Sequence, residues 1–320
     1  MSAVVTCSSD ATANRDVLTQ QQVLHALIAA MERAATTVPQ DIRASLQACA
    51  ESEPSETAQL HLLTSLRNFD LSASGEGLIC TDTGWPYYYV VIGNSVDLAG
   101  GLSHLNDLAA EAVRRCTNKA RLRSTMVHPL SRTPIDGNVG FGFPHVTVRH
   151  DEQLRGMRII AVPKGGGGEV FGTFCRTMLS ADGMTGVYKF LLDSFRDSTY
   201  AGKTCPPNVI GIGIGGTPDV CMMLAKQAAV LRLVGDRHPD PEVAAMELEL
   251  LDAFNEMGVG PMGCGGVTAA MDVHVEIAAT HPAATCVAFN AQCHIGRRAV
   301  VRLTPEGEQI HEENPKWFQR

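Results

Sequence analysis

Three cysteines of this 320-residue chain stand in loops of small, turn-forming residues, where a buried structural cysteine is not expected. Cys80 opens Cys80-Thr81-Asp82-Thr83-Gly84, Cys205 opens Cys205-Pro206-Pro207, and Cys293 follows Asn290-Ala291-Gln292 and precedes His294. Thiolates brought together from distant loops make a soft-metal site. Four would close an iron–sulfur cluster for electron transfer. Three leave one iron open to substrate, as an open position does on catalytic zinc. The pattern therefore points to Lewis-acid chemistry. A rival lies in Gly263-Cys264-Gly265-Gly266: a fourth ligand at Cys264 would make a redox carrier or sensor. Cys7, Cys49, Cys116, Cys175, Cys221 and Cys286 are expected to be small buried hydrophobes.

Other motifs carry less. Gly211-Ile212-Gly213-Ile214-Gly215-Gly216 satisfies a dinucleotide-binding pattern between a strand and a helix. It lies mid-chain, no second mononucleotide half follows, and Pro218 falls in the first helical turn, so close backbone approach is the better reading. Lys164-Gly165-Gly166-Gly167-Gly168-Glu169 lacks the closing Gly-Lys-Ser/Thr of a P-loop, but its amides could form a nest for a carboxylate. Arg297-Arg298 reads as surface charge or, from its nearness to Cys293, as substrate-facing.

The elements that must position these loops read as mixed helices and strands. Helical spacing covers 17–35, Pro39 and Pro54 punctuate, and Ser55 caps a third helix over 56–66. A loop is expected from Ser72. Strands are expected at 86–92, 146–149, 158–162, 209–214 and 286–291, and helices at 102–120, 184–195, 218–229 and 241–256. The stretch 268–279 is ambiguous. The fold class is α/β, in the mixed α+β sense, with a helical part at 17–72 and a cluster-binding part at 73–320 after a flexible extension at 1–16.

Composition excludes several functions. A formal charge of −8 with no basic run argues against nucleic acid. The longest uncharged stretch, 277–296, is broken by His281, Pro282, Asn290, Gln292 and His294, so no helix is expected to span a membrane. Ten cysteines without a signal peptide point to the reducing cytoplasm.

Together these segments resemble the α subunit of the iron–sulfur hydro-lyases, class I fumarase and L-tartrate dehydratase, across residues 20–303. The resemblance rests on the Cys80 to Gly84 motif, Val127-His128-Pro129, Gly137-Asn138, Pro163-Lys164-Gly165-Gly166-Gly167, Cys205-Pro206-Pro207, the 211–217 glycine motif, Arg237-His238-Pro239, Gly260-Pro261-Met262-Gly263 and Gln292-Cys293. It implies a 4Fe-4S cluster held by Cys80, Cys205 and Cys293, with the fourth iron binding a carboxylate and the hydroxyl of the substrate. It implies an Asp82–His281 pair delivering a proton to the leaving hydroxide, with Thr81, Arg123, Lys164, Gly167 and Gly168 bordering the substrate.

The resemblance also implies a reversible hydration of a C4 dicarboxylate, fumarate/malate first, with L-tartrate or mesaconate as alternatives. Thr81 stands where the family usually has Gln, and Gly168 where it has Ser or Cys, so a wider pocket is expected. The family's swivelling domain, which supplies the catalytic base, is expected on a β subunit, in a dimer of heterodimers. Two readings from other classes stand beside this one: the redox sensor closed by Cys264, and a cluster-free subunit that uses these loops only for assembly.

Overall fold

The computed structural model describes residues 16–318. The expected extension lies outside them except for Asp16, which opens a short strand, β1 (Asp16–Leu18). Three helices follow: α1 (Gln20–Thr36), α2 (Gln40–Ser52) and α3 (Glu56–Ala73). The Thr19 hydroxyl accepts from the Gln22 amide, and the Gln22 side chain accepts from the Thr19 amide, closing a capping box on α1. Ser55 caps α3 as its sequence implies. That helix runs on to Ala73, because Ser72 is buried and its hydroxyl donates to Gly77 O at 3.2 Å. The loop to Cys80 therefore starts later than expected.

The next elements are β2 (Trp85–Gly93), β3 (Val96–Leu98), α4 (Leu105–Asn118), β4 (His145–Asp151) and β5 (Met157–Lys164). Although β4 and β5 are neighbours in sequence, β2 separates them, pairing parallel with β4 and antiparallel with β5. Two strands absent from the sequence reading, β10 (Ala299–Leu303) and β11 (Gln309–Glu312), extend this sheet beyond β5. Helices α1 and α4 cover one face, where Leu27, Met31, Tyr88, Val90, Ile159 and Val301 form the core.

The second sheet has the order β6-β9-β7-β8, from β6 (Thr173–Leu179), β7 (Asn208–Ile214), β8 (Ala270–Ile277) and β9 (Ala284–Gln292). The ambiguous stretch at 268–279 is thus a strand, paired parallel with β7. Helices α5 (Gly183–Phe195) and α7 (Pro241–Glu256) cover the face bearing Ile210, Ile212, Val287 and Phe289. Between α7 and β8, Arg237 pairs with Asp272 at 2.7 Å and the His238 amide donates to Glu247, so the Arg237-His238-Pro239 motif is built into an ionic network.

The helix α6 (Pro218–Leu231) lies between the sheets. Its Ala229, Val230 and Leu231 pack with Tyr87, Tyr89 and Trp317, while Cys221 and Ala225 pack on Cys286 and Ala288 of β9. Gly211 and Gly213 make this approach possible. A Cβ at Gly211 would lie 2.0 Å from Ala225 O, and one at Gly213 would lie 2.2 Å from Cys221 O. The 211–216 motif is thus a helix-packing device. Gly213→Ala is expected to cost about 1–3 kcal/mol or more through overpacking, read as a lower urea midpoint. Gly77→Ala, where a Cβ meets nothing within 4 Å, is the neutral control. Equal midpoints would contradict this packing.

Candidate active site

Strand register brings two of the three cysteine loops together. β7 and β9 are antiparallel with Val209 opposite Gln292, so the loop entering β7 and the loop leaving β9 meet at one end of the sheet. Cys205 lies in the first and Cys293 in the second. The His294 amide donates to Cys205 O at 3.1 Å. The buried Asn208 side chain donates to both Cys205 O and Gln292 O at 3.2 Å, and it accepts from the Thr199 and Thr204 hydroxyls. Cys80 arrives from α3, where the Asn68 amide donates to Ile79 O at 2.8 Å. Cys80 and Cys293 both pack against the cluster of Ile42, Leu46, Phe69, Ile79 and Val209.

Neighbouring thiols act electrostatically on Cys205 and Cys293. Burial pushes the Cys205 thiol up to about 11, and the nearby Cys293, Cys80 and Asp82 add to the effect. Burial also raises Cys293; Arg297 and Lys164 oppose this, and Cys80 reinforces it. Soft donors at which neighbouring thiols disfavour ionisation, as at Cys205 and Cys293, suit a polycationic group, which would relieve that repulsion on binding. Among the described residues, no three His, Cys, Asp or Glu side chains are grouped to hold a single metal ion. Cys264 is exposed, and its thiol lies 4.0 Å from Met262 O in the turn beside the Cys205 loop.

Asp82 is fixed next to this group. Its Oδ2 accepts from the Gly166 amide at 2.6 Å, and its carbonyl accepts from the Arg297 guanidinium at 2.7 Å. The loop is held from the other side by Thr83, whose hydroxyl donates to Arg123 O at 2.8 Å. Asn138 ties down the same carbonyl at 2.9 Å. Arg123 is itself exposed, with Nη1 3.5 Å from Thr81 O. Gly84, at φ +69°, passes so close to Lys164 that a Cβ there would overlap its carbonyl. The structure thus assembles Thr81, Asp82, Arg123 and the start of the glycine run in one place.

Other expected site residues lie elsewhere. His281 is exposed in the turn before β9, whereas Cys293 follows the far end of that strand, roughly 30 Å away at strand rise. One chain therefore does not pair His281 with Asp82. Lys164 is 1% exposed and donates to Ala291 O at 2.8 Å and Gln292 Oε1 at 3.1 Å, so it anchors the Cys293 loop from inside. Its pKa falls to about 8 through burial, opposed by Glu169 and Cys293. Gly167 starts a π-helical turn, Gly167–Phe171, where a Cβ would lie 2.8 Å from Lys203 O. At Gly168 a Cβ would lie 2.4 Å from Ala291 O, so backbone already occupies the room expected for a larger substrate.

The sequence reading missed the structural parts played by Asn208, His294 and Arg297. Arg297 and Arg298 are both buried, not surface charge, and Arg298 donates from Nη2 to both Asp41 carboxylate oxygens at 2.7 and 2.8 Å. His294 donates its amide to Cys205 O and its ring meets the Ser65 hydroxyl, while burial lowers its pKa to about 4. Their position beside Cys293 and Cys205 was the available signal. Lys164→Met leaves two buried acceptors unpaired and is expected to cost about 2 kcal/mol or more, read in urea unfolding. A variant that is as stable as wild type but loses substrate affinity would contradict the interior placement.

Comparison with known proteins agrees with the motifs. The fumarate hydratase (Fumerase) family model matches residues 25–302. The chain is 37% identical over 271 residues to a putative L(+)-tartrate dehydratase subunit alpha of Methanocaldococcus jannaschii, covering 84% of this chain and 93% of that one. It is 31% identical over 271 residues to the L(+)-tartrate dehydratase subunit alpha of Escherichia coli strain UTI89, covering 84% and 86%. With the three thiols and Asp82 gathered at one sheet end, the match over nearly the whole chain places this protein in the fumarate hydratase family of hydro-lyases.

Proposed function

We propose that this hydro-lyase α subunit dehydrates a C4 2-hydroxydicarboxylate, with L-tartrate ahead of malate. The relatives above are named for tartrate, so the order expected from sequence, fumarate/malate first, is not favoured. The reading is supported by the meeting of the Cys205 and Cys293 loops at one sheet end and by Cys80 packing on the same hydrophobic cluster as Cys293. These three thiolates would hold a 4Fe-4S cluster. When bound, such a cluster supplies Lewis acidity toward a substrate carboxylate and hydroxyl.

The chain's own residues do the rest of this half-reaction. Hydroxide is a poor leaving group, so the departing oxygen needs a proton. Asp82, held by the Gly166 amide at its Oδ2, is the acid placed to supply it. Arg123 presents an exposed guanidinium above Thr81, suited to a substrate carboxylate. The amides of the glycine turn offer a second, neutral set of donors. Removal of the C–H proton is assigned to a β subunit, with two such heterodimers associating. Nine free cysteines among the described residues fit a reducing compartment such as the cytoplasm, and no described helix is long and apolar enough to cross a membrane.

The test is a substrate panel of L-tartrate, malate, fumarate and mesaconate on the chain co-expressed with its β subunit, loaded with iron and sulfide under anaerobic conditions. L-tartrate is expected to give the highest kcat/KM. Asp82→Asn keeps an acceptor for the Gly166 amide, so iron content is expected to hold while kcat falls by about 10²–10⁴. An iron-loaded heteromer that turns over none of the four would contradict the proposal.

A further inference from the structure

A second group of three cysteines lies away from the active site, where α6 meets the four-stranded sheet. Cys175 on β6, Cys221 on α6 and Cys286 on β9 pack together with Ala225 and Ala288. The glycines at 211 and 213 let α6 settle close enough for this, and the Cys221 thiol donates to Gly213 O at 3.1 Å. Cys286 contacts the Thr177 hydroxyl at 3.6 Å. Cys221 and Cys286 are buried, whereas Cys175 is partly exposed on the edge strand of the sheet.

We propose that Cys175 and Cys221 are a thiol-oxidation site, forming a reversible intrachain disulfide when the chain meets a small peroxide. Sheet register selects this pair over Cys175 and Cys286. Cys175 stands opposite Ala288, and Cys286 opposite Thr177, so these two cysteines are diagonal neighbours on one face. Diagonal Cβ atoms are about 7 Å apart, well beyond the ~4 Å that a disulfide needs. Cys221 comes down from the helix above the sheet and packs in the same cluster as Cys175, where no strand register holds the two apart.

The roles of the two sulfurs differ. The partly exposed Cys175 sulfur, as thiolate, attacks a peroxide oxygen; the O–O bond breaks, water leaves after protonation, and Cys175 becomes a sulfenic acid. The Cys221 sulfur then attacks the sulfenic sulfur, releasing a second water and closing the disulfide. Two thiols are oxidised by two electrons and one peroxide is reduced to two waters. Burial raises the pKa of both thiols and pushes Cys221 up to about 12, and the Cys221 S–H is engaged with Gly213 O, so the partly exposed Cys175 is the sulfur that reacts first. The chemistry does not depend on the active-site cluster or on the substrate.

The closed bond would join α6 to β6, whose first residue, Thr173, donates to Glu169 O in the glycine turn at 2.8 Å. The test treats the full-length chain with hydrogen peroxide, alkylates the remaining thiols and maps unreduced peptides by mass spectrometry. A peptide linking the Cys175 segment to the Cys221 segment is expected, with matching loss of both alkylated forms, and dithiothreitol is expected to reverse it. Cys175→Ser, made at the partly exposed position to preserve the core, is expected to abolish the link and leave Cys221 alkylatable. Cys286→Ser is expected to leave the link in place. The proposal is overturned if Cys175 and Cys221 stay separately alkylated while exposed Cys264 oxidises, or if Cys175 is recovered linked to Cys286.

Discussion

Two thiols that resist ionisation, Cys205 and Cys293, are held at one sheet end beside Cys80, and much of the surrounding structure follows from that constraint. Burial and mutual repulsion both act against the thiolate form at Cys205 and Cys293. Two buried cations work in the opposite direction. Arg297 is the strongest influence favouring the Cys293 thiolate, and Lys164 adds to it from behind. With a pKa of about 8, Lys164 remains mostly protonated at neutral pH despite its burial. Both cations are also mechanical: Arg297 bonds the Asp82 carbonyl, and Lys164 bonds the strand end that carries Cys293. The charges that favour the Cys293 thiolate therefore also fix its own loop and the Asp82 loop beside it.

The second requirement is geometric. Cys205 and Cys293 meet because β7 and β9 pair antiparallel with their relevant ends aligned, and Asn208 locks that end by bonding both loops. β7 can lie beneath α6 only because Gly211 and Gly213 remove the side chains that would hold the helix away. The same helix reaches the first sheet, where Lys226 donates to the Tyr87 hydroxyl and pairs with Glu169. Glu169 lies in the glycine turn that follows the Asp82-binding amide. A residue pattern resembling a nucleotide motif thus serves to dock one helix between two sheets.

Helices were the most legible part of the chain. The span of α7 is set by its Asp240 cap and Pro241 at the first position, and both signals are local. Strand partners were not local: β2 takes its place between β4 and β5 through pairings across the chain. The short β10 was hidden because Arg297 and Arg298, just before it, read as surface charge when both are buried. In the site, Cys80, Cys205 and Cys293 stood out in the sequence because turn-forming loops rarely need a buried thiol, and the structure brings the Cys205 and Cys293 loops together. Gly168 was misread because a missing side chain looks like room, whereas the Ala291 carbonyl fills it. The placement of His281 at the far end of β9 from Cys293 could not be read from their spacing, since twelve residues turn back in one fold and run straight in another.

Cys80, Cys205 and Cys293 are proposed to hold a cluster whose remaining iron is free for substrate. Mössbauer spectroscopy of the ⁵⁷Fe-loaded protein, recorded anaerobically with and without L-tartrate, tests it most directly. One iron site is expected to change its parameters on binding while the others keep theirs. Iron sites that are all unchanged by saturating substrate, in a heteromer that turns that substrate over, would contradict it.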